Sequence, residues 1–373
     1  MMDHAAPNVA PNIARNVGQT AAPHRDARDA AGPLDAANAT PLLSIRDLRV
    51  EFPDRRGTLT ALDDVSFDIR GGEVLGVVGE SGAGKSMTGA AIIGLLPGRG
   101  RIAGGTIHLR GERIDDLSET DMRRVRGGRI GTIFQDPLTS LNPLYTVGEQ
   151  LTETIQTHLP VTEREARDRA VALLEEVGIP AASSRLGAYP HEFSGGMRQR
   201  VVIALALCAE PELVIADEPT TALDVSVQAQ IIAVIKRLCD ERGVGVMLVT
   251  HDMGVIAETA DRVAVMYAGR VVEIGPIADT IQRPLHPYTE GLMGSIPGLG
   301  TRIGADRLVQ IPGSMPRLDA LPPGCRFHPR CQHAFARCSA ERPAPWQRGL
   351  SAATCHLLDP AETDPRAMRE AAE

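Results

Sequence analysis

The residues whose types and spacing promise chemistry begin at Gly79. Gly79 to Ser86 reads Gly-Glu-Ser-Gly-Ala-Gly-Lys-Ser, which fits a phosphate loop: Gly, four residues, Gly-Lys, then Ser or Thr. Glycines at 79, 82 and 84 let successive backbone N–H groups curl around a phosphate. The amides available for this run through Gly79, Glu80, Ser81, Gly82, Ala83, Gly84, Lys85, Ser86 and Met87. Lys85 has the reach for β- and γ-phosphates, and the Ser86 hydroxyl suits a Mg²⁺ ion. A second candidate lies far along the chain, where the apolar run Leu213 to Ala216 ends in Asp217 and Glu218. Asp217 would hold Mg²⁺ through water, and Glu218 is the candidate general base for an attacking water. A third is Ser194-Gly195-Gly196 at the start of an apolar helical run, a capped N-terminus suited to an anion. The loop implies a nucleoside-triphosphate site.

These groups need elements to hold them. Val74 to Val78 reads as a buried strand feeding the phosphate loop, and Met87 to Leu96 as the helix that leaves it. Two alternating runs between Leu42 and Ile69 flank a charged turn from Pro53 to Gly57 and read as strands. Further strands are expected at Gly105 to Leu109, Ile130 to Phe134, Leu213 to Ala216 and Val244 to Val249. Helix is expected over Leu117 to Val125 and through 144–188. Strands alternating with helices predict an α/β fold with a mostly parallel, doubly covered sheet. No internal repeat is visible, so one copy of this unit is expected.

Composition narrows the field. A chain of 373 residues with net charge −8 and no basic run with interleaved aromatics is not a general nucleic-acid binder. The longest apolar run, Val201 to Ala209, falls short of the roughly 20 residues that a membrane span needs. No secretory signal is expected, since the first residues lack an apolar core. Residues 1–40, rich in Ala, Asn, Pro and Asp, read as a disordered tail. Residues 359–373 read as a flexible one.

With Ser194-Gly195-Gly196 about twenty residues before Asp217-Glu218, the chain resembles the ATPase subunits of ABC transporters, whose signature is Leu-Ser-Gly-Gly-Gln. The other motifs of that family stand in order: Gln135 as the Q-loop glutamine, Ala222-Leu223-Asp224 as the D-loop and His251 as the switch histidine. Phe193 and Met197 replace the signature leucine and glutamine, a variation similar to the peptide-importer branch. The resemblance covers residues 41–285. It implies a P-loop NTPase with a RecA-like sheet, an antiparallel β subdomain and a helical signature subdomain. It also implies two ATPase domains set head to tail. Ser194, Gly195 and Gly196 would bind the γ-phosphate of the partner's ATP, and Asp224 would meet the opposite phosphate loop. Gln135 would approach Mg²⁺ and the water, His251 would contact the γ-phosphate, and Phe52 would stack on adenine.

Beyond residue 285 composition shifts to Pro, Gly and Arg, and Cys325, Cys331, Cys338 and Cys355 follow. Four thiolates suit Zn²⁺ or an iron–sulfur cluster, and the wide gaps favour the latter. Residues 286–358, with His286-Pro287-Tyr288 at their head, resemble the C-terminal extension of oligopeptide and dipeptide importer ATPases, some of which carry a four-iron four-sulfur cluster. Cys208 and Cys239 sit in apolar helical patterns and read as core. The resemblance implies an ATPase that powers peptide import from the cytoplasmic face of the plasma membrane. Its partners would be a second, homologous or identical ATPase, two transmembrane permeases and a substrate-binding protein. Other cargoes, such as nickel or a sugar oligomer, and a soluble non-transport ABC ATPase are the alternative readings.

Overall fold

Five short apolar segments build the centre of the molecule, and each alternates its side chains between two cores. In Val74–Val78, Val74 and Val78 join one hydrophobic cluster while Leu75 and Val77 join the other. Leu213–Asp217 and Gly245–Val249 divide in the same way. A fully apolar strand with period-two alternation must have both faces covered, which makes a buried parallel sheet the favoured arrangement. The computed structural model describes residues 40–55, 57–220, 224–295 and 311–363. The expected tail over residues 1–39, the D-loop residues Ala222 and Leu223, and residues 364–373 lie outside them.

In chain order the elements are β1 (Leu43–Asp54), β2 (Gly57–Ile69), β3 (Val74–Val78), α1 (Lys85–Ile92), β4 (Arg101–Leu109), β5 (Glu112–Arg113), α2 (Glu119–Val125), β6 (Ile130–Ile133), α3 (Pro137–Ser140), α4 (Val147–His158), α5 (Glu163–Glu176), α6 (Ala182–Arg185), α7 (Gly195–Leu207), β7 (Leu213–Asp217), α8 (Val225–Arg242), β8 (Gly245–Val249), α9 (Met253–Thr259), β9 (Arg262–Tyr267), β10 (Arg270–Pro276), α10 (Ile277–Gln282), α11 (Pro287–Gly294), α12 (Ala336–Ala340), β11 (Pro345–Arg348), β12 (Ser351–Thr354) and α13 (Pro360–Thr363). One sheet runs β11-β12-β10-β9-β3-β8-β7-β6, with β9, β3, β8, β7 and β6 parallel. A second, antiparallel sheet runs β2-β1-β4-β5 and shares its core with one face of the first. The α/β class and the antiparallel subdomain expected from the sequence are both present.

Two differences from the sequence reading have local causes. The helix after the phosphate loop ends at Ile92 rather than Leu96, because Gly94 takes a positive φ of 63° and Pro97 follows. The segment 144–188 is three helices. Pro160 ends the first stretch, and capping boxes at Thr146/Glu149 and Thr162/Glu165 restart the chain. The segment beyond 285 does not stand apart. β12 pairs antiparallel with β10 (Glu273 opposite Ala353), so the C-terminal hairpin extends the central sheet.

Candidate functional site

The site forms where the parallel strands end. β3 runs into the phosphate loop, and Gly79 there has φ 150° and a Cβ position only 2.2 Å from the Met266 carbonyl oxygen, so no other residue fits. Gly84, with φ 105°, caps α1 and turns the loop into the helix. Lys85 is buried at 6% exposure, and its Nζ donates to the carbonyls of Gly79 (2.8 Å) and Glu80 (3.1 Å). The ammonium is therefore folded back over its own loop. Burial pushes its pKa down, against the opposing pull of Glu218, Asp217 and Glu80.

β7 delivers the carboxylates. Ser86 Oγ donates to Asp217 Oδ1 at 2.9 Å, which joins the loop to the parallel strand next but one, across β8. Burial pushes the Asp217 carboxyl up; Ser86 and Lys85 oppose that shift and Glu218 adds to it. An oxygen pair of this kind, one hydroxyl and one carboxylate, fits a hard divalent cation. Glu218 sits in the left-handed region at φ 47°, its N–H donating to Val249 O of β8 at 2.8 Å. Side chains rarely adopt that conformation, and here it turns the carboxylate off the strand line. Gln135 Nε2 donates to Glu218 Oε2 at 2.8 Å, and His251 Nδ1 lies 3.3 Å from Glu218 Oε1. Both oxygens of the candidate base are thus oriented by residues that follow β6 and β8.

Ser81, Gly82, Ala83, Gly84, Lys85, Ser86 and Met87 line one cleft of about 680 Å³ together with Gln135, Glu218 and His251. Ala61 and Leu318 complete its lining. A cleft of that size with a glycine-rich floor, one buried lysine and a carboxylate pair fits a nucleoside triphosphate with Mg²⁺.

The other predicted residues lie elsewhere. Ser194 caps α7, its Oγ accepting from Met197 N at 3.4 Å, and Ser194 and Gly195 are exposed. Neither they nor Gly196 line the cleft. Asp224 is the exposed N-cap of α8. Phe52 is half-buried against the core shared by the two sheets, with its ring at Gly100, and is not part of the cleft wall. Cys208, at the C-terminal cap of α7, and Cys239, within α8, are buried, as expected, and burial pushes both thiols up to about 12.

Cys325, Cys331 and Cys338 all lie near enough to act on the Cys355 thiol. Among the described residues no group of three or more His, Cys, Asp or Glu side chains could hold a metal ion. Cys325 N donates to Cys338 O at 2.9 Å, so the segments are neighbours. Burial, aided by the other cysteines, pushes the Cys355 thiol up to about 11.

Sequence reasoning missed Tyr288, Arg330 and Leu318. Tyr288 Oη accepts from Glu80 N at 2.9 Å, Arg330 Nη1 donates to Glu80 Oε2 at 3.0 Å, and Leu318 lines the cleft. His286-Pro287-Tyr288 was the one available signal: the His286 side chain and Pro287 start α11 and so direct the tyrosine inward.

A phosphate loop behind a buried strand, with carboxylates at the end of the parallel strand next but one and a glutamine and histidine on the second of them, defines an ATP-binding cassette. Residues 62–221 match the ABC transporter family, and residues 272–338 match the oligopeptide/dipeptide transporter C-terminal region. A putative peptide import ATP-binding protein of Brucella abortus is 47% identical over 322 residues, covering 86% of this chain and 96% of that protein. The oligopeptide transport ATP-binding protein OppD of Escherichia coli K12 is 48% identical over 311 residues, covering 83% and 91%. Among solved structures, a dimeric ATP-binding cassette in a post-hydrolysis state with ADP and Pi superposes with TM-score 0.57 at 27% identity. It covers 63% of this chain and 98% of that one. The chain belongs to the ATP-binding subunits of ABC transporters, in the oligopeptide and dipeptide branch.

Proposed function

We propose that this chain is the ATP-hydrolysing subunit that powers an ABC importer for di- or oligopeptides. The observation that carries the reading is the match of residues 272–338 to the oligopeptide/dipeptide transporter C-terminal region, behind a cleft whose base is already oriented. When bound, ATP supplies the phosphoryl group and Mg²⁺ neutralises its charge. Lys85 and the loop amides of residues 79–87 would bind the phosphates, while Ser86, Asp217 and Gln135 would hold the cation. Glu218 takes the proton from water, and Gln135 and His251 keep its carboxylate aimed. Catalysis here is positioning and charge stabilisation.

The site is completed by a second ATPase subunit, identical or homologous, whose Ser194-Gly195-Gly196 turn and Asp224 approach this chain's ATP. The exposure of Ser194, Gly195 and Asp224 supports that reading. Phe52 as an adenine platform requires its ring to leave Gly100 on binding. Residues 41–285 are the ATPase region and 286–358 the importer-type extension. No helix among the described residues is long and apolar enough to cross a membrane. In this reading attachment is peripheral, at the cytoplasmic face, through two permease subunits fed by a substrate-binding protein. A four-iron four-sulfur cluster on Cys325, Cys331, Cys338 and Cys355 belongs to the same proposal, and it requires the four thiols to draw closer together than they stand here. Iron and acid-labile sulfide in anaerobically purified protein test it, and their absence removes it.

Affinity purification in mild detergent with mass spectrometry tests the function. Two polytopic membrane proteins and a second ATPase are expected. Recovery of ribosomal or DNA-repair proteins with no membrane partner overturns the proposal. A co-purifying binding protein that takes nickel or a sugar oligomer overturns the peptide assignment alone.

A further inference from the structure

Glu80, the second residue of the phosphate loop, is held at three points. Its carbonyl oxygen accepts from Lys85 Nζ at 3.1 Å, its N–H donates to Tyr288 Oη at 2.9 Å, and its carboxylate accepts from Arg330 Nη1 at 3.0 Å. Two of these anchors lie beyond residue 285. Both are rigid. Tyr288 is fully buried and packs edge-on against Tyr267, ring centroids 4.7 Å apart, with Phe327 at 5.3 Å. The Arg330 side chain is 7% exposed, donates to Pro312 O (2.7 Å) and Tyr267 Oη (3.3 Å), and lies over the Tyr267 ring. The same C-terminal segment places Leu318 on the cleft wall, and Met315 Cγ is 3.9 Å from where a Cβ on Gly82 would stand.

This arrangement does two things for a loop that must receive a polyanion. It fixes the loop before the ligand arrives, so less ordering entropy is lost on binding. It also neutralises a carboxylate on the loop itself, which would otherwise repel phosphate. We propose that the C-terminal region is a positioning element of the nucleotide site, with Arg330 and Tyr288 setting the phosphate loop through Glu80. Occupancy of the cleft and the packing of the C-terminal region are then coupled, and the coupling is reciprocal. The inference rests on the reading of the cleft as an ATP site.

The test compares the unaltered full chain with Arg330→Met, Arg330→Lys, Glu80→Gln and the double variant Glu80→Gln/Arg330→Met. Direct binding of a fluorescent ATP analogue and the split between KM and kcat are read on folded protein verified by circular dichroism. Arg330→Met is expected to weaken nucleotide binding roughly tenfold, as loss of a charge-assisted bond does, with a smaller change in kcat. Arg330→Lys should lose less. The double variant should recover much of the loss, because the unpaired carboxylate is gone. Arg330→Met binding as tightly as the unaltered chain, or a double variant no better than Arg330→Met, overturns the inference. If the unaltered chain itself does not bind the analogue, the reading of the cleft fails first.

Discussion

The phosphate loop and the signature turn are both glycine-rich entries into a helix, yet they differ in what they face. The loop is wrapped. Lys85 bonds back to Gly79 and Glu80, Ser86 reaches Asp217, and Glu80 is anchored by Tyr288 and Arg330. The signature turn is open. Ser194 and Gly195 are exposed, and the turn takes no part in the cleft of its own chain. One helix N-terminus is built into a site, and the other is presented outward. The difference fits the proposed head-to-tail pair, in which the open turn of one chain would complete the wrapped site of the other.

Variants can break or sharpen that contrast. Glu218→Gln removes the candidate base from the wrapped half and is expected to lower ATP hydrolysis roughly 10²- to 10⁴-fold while ATP binding persists. A steady-state phosphate-release assay beside a binding titration reads both, and near-normal turnover would remove Glu218 from its role. Lys85→Ala should weaken ATP binding by roughly 10- to 100-fold, the worth of a charge-assisted contact in a buried site. Equilibrium titration checks it.

Ser194→Arg touches only the open half. The isolated chain should bind ATP normally, whereas hydrolysis by the assembled complex should fall roughly tenfold or more. Loss of binding in the isolated chain would contradict the division into halves.

The smallest effect concerns pH. His286 is fully buried, and burial pushes it down to about 3, so its ring stays neutral in the fold while the unfolded chain protonates near 6.5. Its contribution is present above pH 6.5 and lost as pH falls through that value toward 3. Stability should decline by at most about 1.4 kcal/mol per pH unit across the window from this group. His286→Asn keeps an acceptor for the Tyr288 N–H, and should flatten the acid side of a melting-temperature profile by a few degrees. An unchanged acid slope would remove His286 as its source.

Much of the wrapped half was legible in the sequence because its constraints are local. A loop that must approach phosphate closely needs glycine at fixed intervals, and a carboxylate must end a buried strand to sit beside it. The parallel sheet was legible for the same reason, since Val74 to Val78 and Leu213 to Ala216 carry no polar residue to leave a face in water. What escaped was non-local or conformational. Nothing in the string says that Glu218 adopts φ 47°. Arg330 and Glu80 stand 250 positions apart, and no periodicity links them. The composition shift after residue 285 read as an extension, and how it attaches was not legible, because the β12 pairing with β10 depends on an edge that only the folded sheet exposes. Phe52 matched a position rather than a packing environment, and its neighbour Gly100 decides where the ring rests.

The most direct test of the central claim is uptake of labelled oligopeptides by vesicles carrying the purified complex and its binding protein. The expected result is uptake that requires ATP, scales with hydrolysis, and disappears when this chain carries Glu218→Gln. Uptake indifferent to that substitution, or hydrolysis that moves another cargo and no peptide, would contradict it.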